Sequence, residues 1–173
     1  MKIMLIGSSG AGKSTFSRQL SELTGFPVLH LDRVWHNTDY SLEATEYFRL
    51  VQKEFIENNM DCIIDGNYSA TMDIRLENAD MIVWLKINRV KAIGRVIRRS
   101  LKSRLVGHNR SDMSTNFVER FDKEYWKFMK FIWNFPKVNE LRIQAMINDF
   151  DKNDQVIIVK NHNDKDKVIS LLK

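Results

Sequence analysis

The sequence predicts an α/β domain built on a parallel sheet, and three observations lead there. Short apolar runs at 3–6, 28–31, 62–64, 81–85 and 156–159 alternate with longer stretches whose apolar residues recur at helical spacing. These runs are apolar throughout, as strands covered by helices on both faces have to be. The first run passes without a gap into Gly7-Ser8-Ser9-Gly10-Ala11-Gly12-Lys13-Ser14-Thr15, which fits the phosphate-binding pattern G-x-x-x-x-G-K-[ST].

Each element follows from local chemistry. After the glycine loop, Phe16, Leu20 and Leu23 mark a first helix, and Gly25-Phe26-Pro27 reads as a turn. The second strand, 28–31, ends at Asp32, and 35–40 reads as an irregular connection. Ser41 is a helix cap for 42–58, whose apolar stripe is Tyr47, Leu50, Val51, Phe55 and Ile56. The third strand ends at Asp65-Gly66, and a short helix falls within 69–78. The fourth strand leads into a long helix over about 90–105, broken at Gly107-His108-Asn109. An aromatic helix is expected over 114–134. Asn134 and Pro136 read as a stop and a start, with a further helix running to about 150. After the fifth strand, Asn163 opens a terminal helix with Asp164 and Asp166 in its first turn.

The chain has 173 residues, 43% of them hydrophobic and 28% charged, which suits one globular domain with a sizeable core. No apolar run is long enough to span a membrane, and the break at Gly7 leaves no signal-peptide core, so a cytoplasmic protein is expected. The single cysteine, Cys62, lies in an apolar run and reads as a buried reduced thiol. Charge is uneven. Nine Lys and Arg and no acid lie between 86 and 110, so of the net +5 the rest of the chain carries −4.

The glycine loop dictates the first set of candidate residues. Gly7, Gly10 and Gly12 permit the turns and close approach of a backbone N–H nest, with Ser8, Ser9 and Ala11 between them. The following helix offers its unpaired N–H groups and positive dipole end to the same anion. Lys13 reaches the β- and γ-phosphates of a triphosphate, the Ser14 hydroxyl suits Mg²⁺, and Thr15 suits the α-phosphate. The cofactors expected are therefore ATP and Mg²⁺.

Strand ends supply the second set, because ligands of such sheets sit beyond the carboxyl ends of the strands. Asp32 there would orient an acceptor hydroxyl or hold a Mg²⁺-bound water, the alternative being a local cap or turn. Asp65 would support Mg²⁺ beside the loop, although Asp-Gly is also a turn signal. The basic segment has three readings: a polyphosphate clamp, a nucleic-acid surface and a solvated helix face. The clamp is favoured, with Arg95 and Arg99 four apart on one helix face. The aromatic run 117–135 reads as core or helix contact rather than base stacking, with Arg120 the basic exception within it. His30 reads as a packed, hydrogen-bonded core residue, and the other three histidines show no metal-ligand spacing.

The P-loop, His30-Leu31-Asp32 with Trp35, Ile63-Ile64-Asp65-Gly66-Asn67-Tyr68 and Phe131-Ile132-Trp133-Asn134-Phe135-Pro136 together resemble the bacterial DNA topology modulation (FlaR-related) proteins, of the adenylate-kinase-like P-loop group. That resemblance implies a P-loop NTPase fold of three α/β/α layers, adenylate- or shikimate-kinase-like, with a parallel sheet of order 2-3-1-4-5 and bound ATP. By likeness to adenylate kinases, Arg95 and Arg99 would face the donor phosphates and Arg120 would act from the far side of a lid. By likeness to shikimate and gluconate kinases, Asp32 would handle an acceptor hydroxyl. The chain departs from these relatives at Lys86 and Asn88, where Asp and Pro are expected. One domain over 1–173 is expected, with an acceptor-binding helical insert at about 33–60 and a short lid at about 100–118. The activity expected is that of a small nucleotide or metabolite kinase acting on an unidentified small-molecule acceptor, as a monomer or weak dimer. The alternative is an ATP-binding regulatory or DNA-associated (topology modulation) protein that uses the basic segment 86–110.

Overall fold

A computed structural model of the protein describes residues 1–106 and 123–172. Five strands form one parallel sheet: β1 (Lys2–Gly7), β2 (Val28–His30), β3 (Cys62–Asp65), β4 (Met81–Leu85) and β5 (Val156–Val159). Their order is β2-β3-β1-β4-β5, as the resemblance implied. The helices are α1 (Lys13–Thr24), α2 (Leu31–Trp35), α3 (Leu42–Asn58), α4 (Met72–Asn78), α5 (Arg89–Val106), α6 (Lys123–Asp149) and α7 (His162–Ser170).

The two-residue period of a strand explains why β1 is apolar on both faces. Ile3 and Leu5 pack with Phe16 and Leu20 of α1, Val83 and Leu85 of β4, and Val168 of α7. Met4 and Ile6 point the other way, onto Met72 and Leu76 of α4 and Phe135, Ile143 and Ile147 of α6. The same alternation in β3 gives Ile63 to the first layer. It sends Cys62 and Ile64 to a third cluster with Leu31, Phe48 and Ile56. Cys62 is fully buried, and burial pushes its thiol pKa up, as an inert core thiol requires.

Several boundaries differ from the sequence reading. The expected break at Asn134 and Pro136 is absent: α6 continues through Pro136. Proline removes one intrahelical hydrogen bond, but Ile132, Phe135, Ile143 and Ile147 are buried on either side of it and hold the axis in place. The terminal helix starts two residues earlier than expected. Asn161 caps it, accepting from the Asp164 N–H at 3.1 Å, while Asp164 reaches back to the Asn161 N–H in a capping box. The second strand stops at His30, so Asp32 sits in the first turn of the short α2. Ser41 caps α3 as expected, accepting from the Ala44 N–H at 3.1 Å. Arg120 and most of the expected lid lie outside the described residues.

Candidate active site

The site lies at the carboxyl ends of β1, β3 and β4, and strand register begins it. Gly7 pairs with Leu85 and Leu5 with Asp65, so the loop after β1 emerges between the ends of β3 and β4. Gly7 has φ +140°, and a Cβ there would lie 2.2 Å from the Leu85 carbonyl oxygen. Gly10 has φ +80°, and a Cβ there would lie 2.6 Å from the Ala92 carbonyl oxygen of α5. Both positions therefore exclude a side chain by contact with backbone, which cannot move aside cheaply. Helix α1 opens at Gly12 with no side-chain cap, leaving its first-turn N–H groups for solvent or an anion.

Lys13 rests on its own loop. Its Nζ donates to the Gly7 carbonyl at 2.8 Å and to the Ser8 carbonyl at 3.2 Å. From α5, Arg95 Nη1 donates to the Gly10 carbonyl at 3.3 Å, which brings this candidate to the loop. Arg99, one turn further on, is half-buried. Lys165 of α7 is a cation the sequence reading missed. Its Nζ lies 4.9 Å from the centre of the Phe16 ring, and burial, then Arg95, holds its pKa below the usual lysine value. Ser14 and Thr15 stand in the first turn of α1.

The segment Asp65-Gly66-Asn67-Tyr68 joins the two halves of the site. Asp65 is buried. One of its oxygens lies 2.9 Å from His30 Nδ1, and the other, Oδ1, has no hydrogen-bond partner among the described residues. Asn67 holds both backbone groups of Gly7, the first residue of the loop. Its Oδ1 accepts from the Gly7 N–H at 2.9 Å, and its Nδ2 donates to the Gly7 carbonyl at 2.9 Å. The Tyr68 hydroxyl donates to Asp32 Oδ1 at 2.8 Å. Burial, then the Asp32 carboxylate, raises the Tyr68 phenol far above its ordinary value, so it stays a donor. The other Asp32 oxygen takes no hydrogen bond among the described residues.

Arg75 of α4 fastens this segment from beneath. It is 1% exposed, and its guanidinium donates to the carbonyls of Gly66 at 2.6 Å, Asn67 at 2.7 Å and Tyr68 at 2.9 Å. Burial pulls its pKa down to about 9, still above neutrality, so it serves as a cation. Those three bonds hold the chain while Tyr68 occupies a left-handed conformation with φ +30°. Phe48 meets Trp35 and Tyr68 in edge contacts at centroid separations of 5.3 and 4.9 Å, and Trp35 lies tilted to Tyr68 at 6.1 Å.

Among the candidates, the structure brings Lys13 and Arg95 onto the loop and ties Asp32 and Asp65 to one four-residue segment beside it. Asn67 and Tyr68 were visible only as part of a motif, without a role. His30 was read as a packed, hydrogen-bonded core residue; it is hydrogen-bonded, to Asp65, but stands 13% exposed at the end of β2.

No family model matches the chain, and no curated protein matches its sequence. Solved structures match it in shape. A shikimate kinase from Acinetobacter baumannii in complex with shikimate is 16% identical, with a TM-score of 0.59 over 99% of this chain and 90% of that one. The shikimate kinase from Bacteroides thetaiotaomicron is 18% identical, with a TM-score of 0.58 over 99% and 95%. The deoxyadenosine kinase from M. mycoides with bound dATP is 20% identical, with a TM-score of 0.52 over 99% and 97%. The fold is that of the P-loop kinases. At these identities the likeness extends to the fold alone, and it lends nothing to the expected kinship with topology modulation proteins.

Proposed function

We propose that the chain is a Mg²⁺-ATP-dependent phosphotransferase of the small-kinase type, acting on the hydroxyl of a small acceptor. One observation carries this reading. A carboxylate in the first turn of α2, Asp32, and a complete phosphate-binding loop are fastened to adjacent residues, Tyr68 and Asn67, of one anchored segment. Phosphoryl transfer requires that donor phosphate and acceptor oxygen be held in line, and fixed positioning supplies most of the catalysis.

Each residue has a part in this reading. The loop N–H groups and the start of α1 bind the phosphates. Lys13, Arg95 and Arg99, with Arg120, balance charge on the transferring group. Tyr68 holds one Asp32 oxygen and leaves the second to accept the proton of the attacking hydroxyl. Mg²⁺ takes few protein oxygens and keeps water and phosphate as its other ligands. The Ser14 hydroxyl and the unpartnered Oδ1 of Asp65 fit that sparse demand. When bound, the ion would neutralise the phosphate oxygens.

The test starts with a thermal-shift screen of nucleosides, nucleotides and small hydroxylated metabolites, with and without a non-hydrolysable ATP analogue. With an acceptor in hand, Asp32→Asn is expected to lower transfer by about 10²-fold or more, the scale of a lost general base, with ATP affinity nearly unchanged. A collapse of ATP binding in Asp32→Asn would instead make this residue a metal or folding element.

A further inference from the structure

We propose that Lys165 of α7 is a further donor-site residue, a cation for the two phosphates that leave with ADP. The proposal rests on the Mg²⁺-ATP reading of the loop and deepens it, since that reading assigns α7 no part. Topology brings the residue there. Strand register sets Gly7, Leu85 and Val159 in one row across the sheet, so α7 follows β5 at the same edge at which the loop follows β1. Helices α1 and α7 then share one face: Phe16 and Leu20 of α1 and Val168 of α7 lie in one buried layer. Lys165 is one turn before Val168, and Phe16 is one turn before Leu20. That step places Lys165 at the loop end of the layer, where its Nζ lies 4.9 Å from the centre of the Phe16 ring.

Charge sets what Lys165 can take. It is half-buried, and it has no hydrogen bond or ion pair among the described residues. A ring face returns only a weak attraction to an ammonium. The other neighbour is a second cation: Arg95 reaches the Gly10 carbonyl at 3.3 Å, and after burial it is the group that most disfavours the Lys165 charge. The first turn of α1, between them, is itself positive. Like charges gathered in this way are stabilised by an anion, and a nucleotide's phosphates supply one. Position decides which phosphates. Lys13 lies on the Gly7 and Ser8 carbonyls, at the start of the loop and beside Asn67. Lys165 lies over Phe16, the residue after Thr15, whose hydroxyl suits the α-phosphate. Lys165 thus holds the part of the donor that stays behind when the terminal phosphoryl group is transferred.

Affinities for Mg²⁺-ATP and Mg²⁺-ADP are measured by competition against a fluorescent nucleotide in the intact protein, Lys165→Met, Lys165→Arg and Lys167→Met. Methionine keeps an unbranched stem to cover Phe16 and removes the charge. Lys165→Met is expected to weaken ATP and ADP alike, each by about tenfold, the loss of a charge-assisted contact. Lys165→Arg keeps the charge and is expected to stay within about threefold of the intact protein. Lys167→Met removes a charge from an exposed position of the same helix and is expected to change either affinity by no more than about twofold. Loss of ATP affinity alone in Lys165→Met would place the cation at the terminal phosphate and overturn the proposal. Unchanged affinities in that variant, or equal losses in Lys167→Met, would overturn it as well. Should Lys165→Met not fold, Lys165→Gln carries the same comparison, and failure of both to fold would make Lys165 a folding residue and defeat the proposal. Failure of the intact protein to bind either nucleotide would instead defeat the reading beneath it.

Discussion

Tyr68 shows how much of the site is set by single residues that no spacing rule identifies. Its phenol is buried against the Asp32 carboxylate, and both effects disfavour the phenolate. The folded pKa lies above the unfolded value of about 10, so the contribution to stability is fully present below pH ~10 and is lost as pH rises further. Tyr68 is therefore expected to resist ionisation in an alkaline absorbance titration of the folded protein. Tyr68→Phe should remove that late phenol and soften the alkaline fall in stability. Four phenols ionising together near pH 10 would contradict the buried pairing. Asn67 and Arg75 were hard to read for a related reason: both act on backbone groups, and a backbone hydrogen bond leaves no signature in sequence. Lys13 was legible because its chemistry demands a fixed spacing from two glycines, Gly7 and Gly12.

At the scale of elements, α3 and α4 are tied to each other by an ion pair. Arg49 of α3 reaches Asp73 of α4 with bonds of 3.1 and 2.6 Å. The guanidinium bond holds the Asp73 carboxyl below its usual value, and Asp73 holds Arg49 above its own. A depressed acid contributes stability above its unfolded value of about 4 and loses it as pH falls through the folded one. Both side chains are partly exposed, so Arg49→Ala is expected to cost only about 0.5–1 kcal/mol at neutral pH. That gap, measured by denaturant melts, should stay level down to pH ~4 and close below it. A gap that persisted unchanged in acid would show that Arg49 acts by packing. Elements were legible wherever periodicity and a cap agreed, as in Ser41 and α3. They were missed where tertiary contact overruled a local signal. Pro136 inside α6 is the clear case, since buried Phe135 and Ile132 keep the helix running where local rules end it.

For the whole molecule, the distribution of charge weighs against the DNA-associated alternative. Several of the nine basic residues from 86 to 110 have internal employment. Lys86 Nζ lies 3.2 Å from Glu140 and over the Trp84 ring, Arg89 lies over the Trp133 ring, and Arg95 reaches the loop. A duplex would meet the remainder beside a body of charge −4. Duplex DNA is therefore expected to bind weakly at moderate salt, and saturating ATP to change that little. Submicromolar binding that falls by about 0.9 log units per phosphate contact per log unit of salt would favour the DNA-associated alternative. The sheet class was legible because strand and helix signals alternate, and the strand order because it came with the resembled family. The anchored segment after β3, which makes one site of the loop and Asp32, was not. Titration of Mg²⁺-ATP against the intact protein and Lys13→Ala tests the central claim most directly. The account predicts saturable binding that weakens by about tenfold or more, the loss of a charge-assisted phosphate contact, with the melting temperature nearly unchanged. Equal affinity of the two proteins for Mg²⁺-ATP would contradict it.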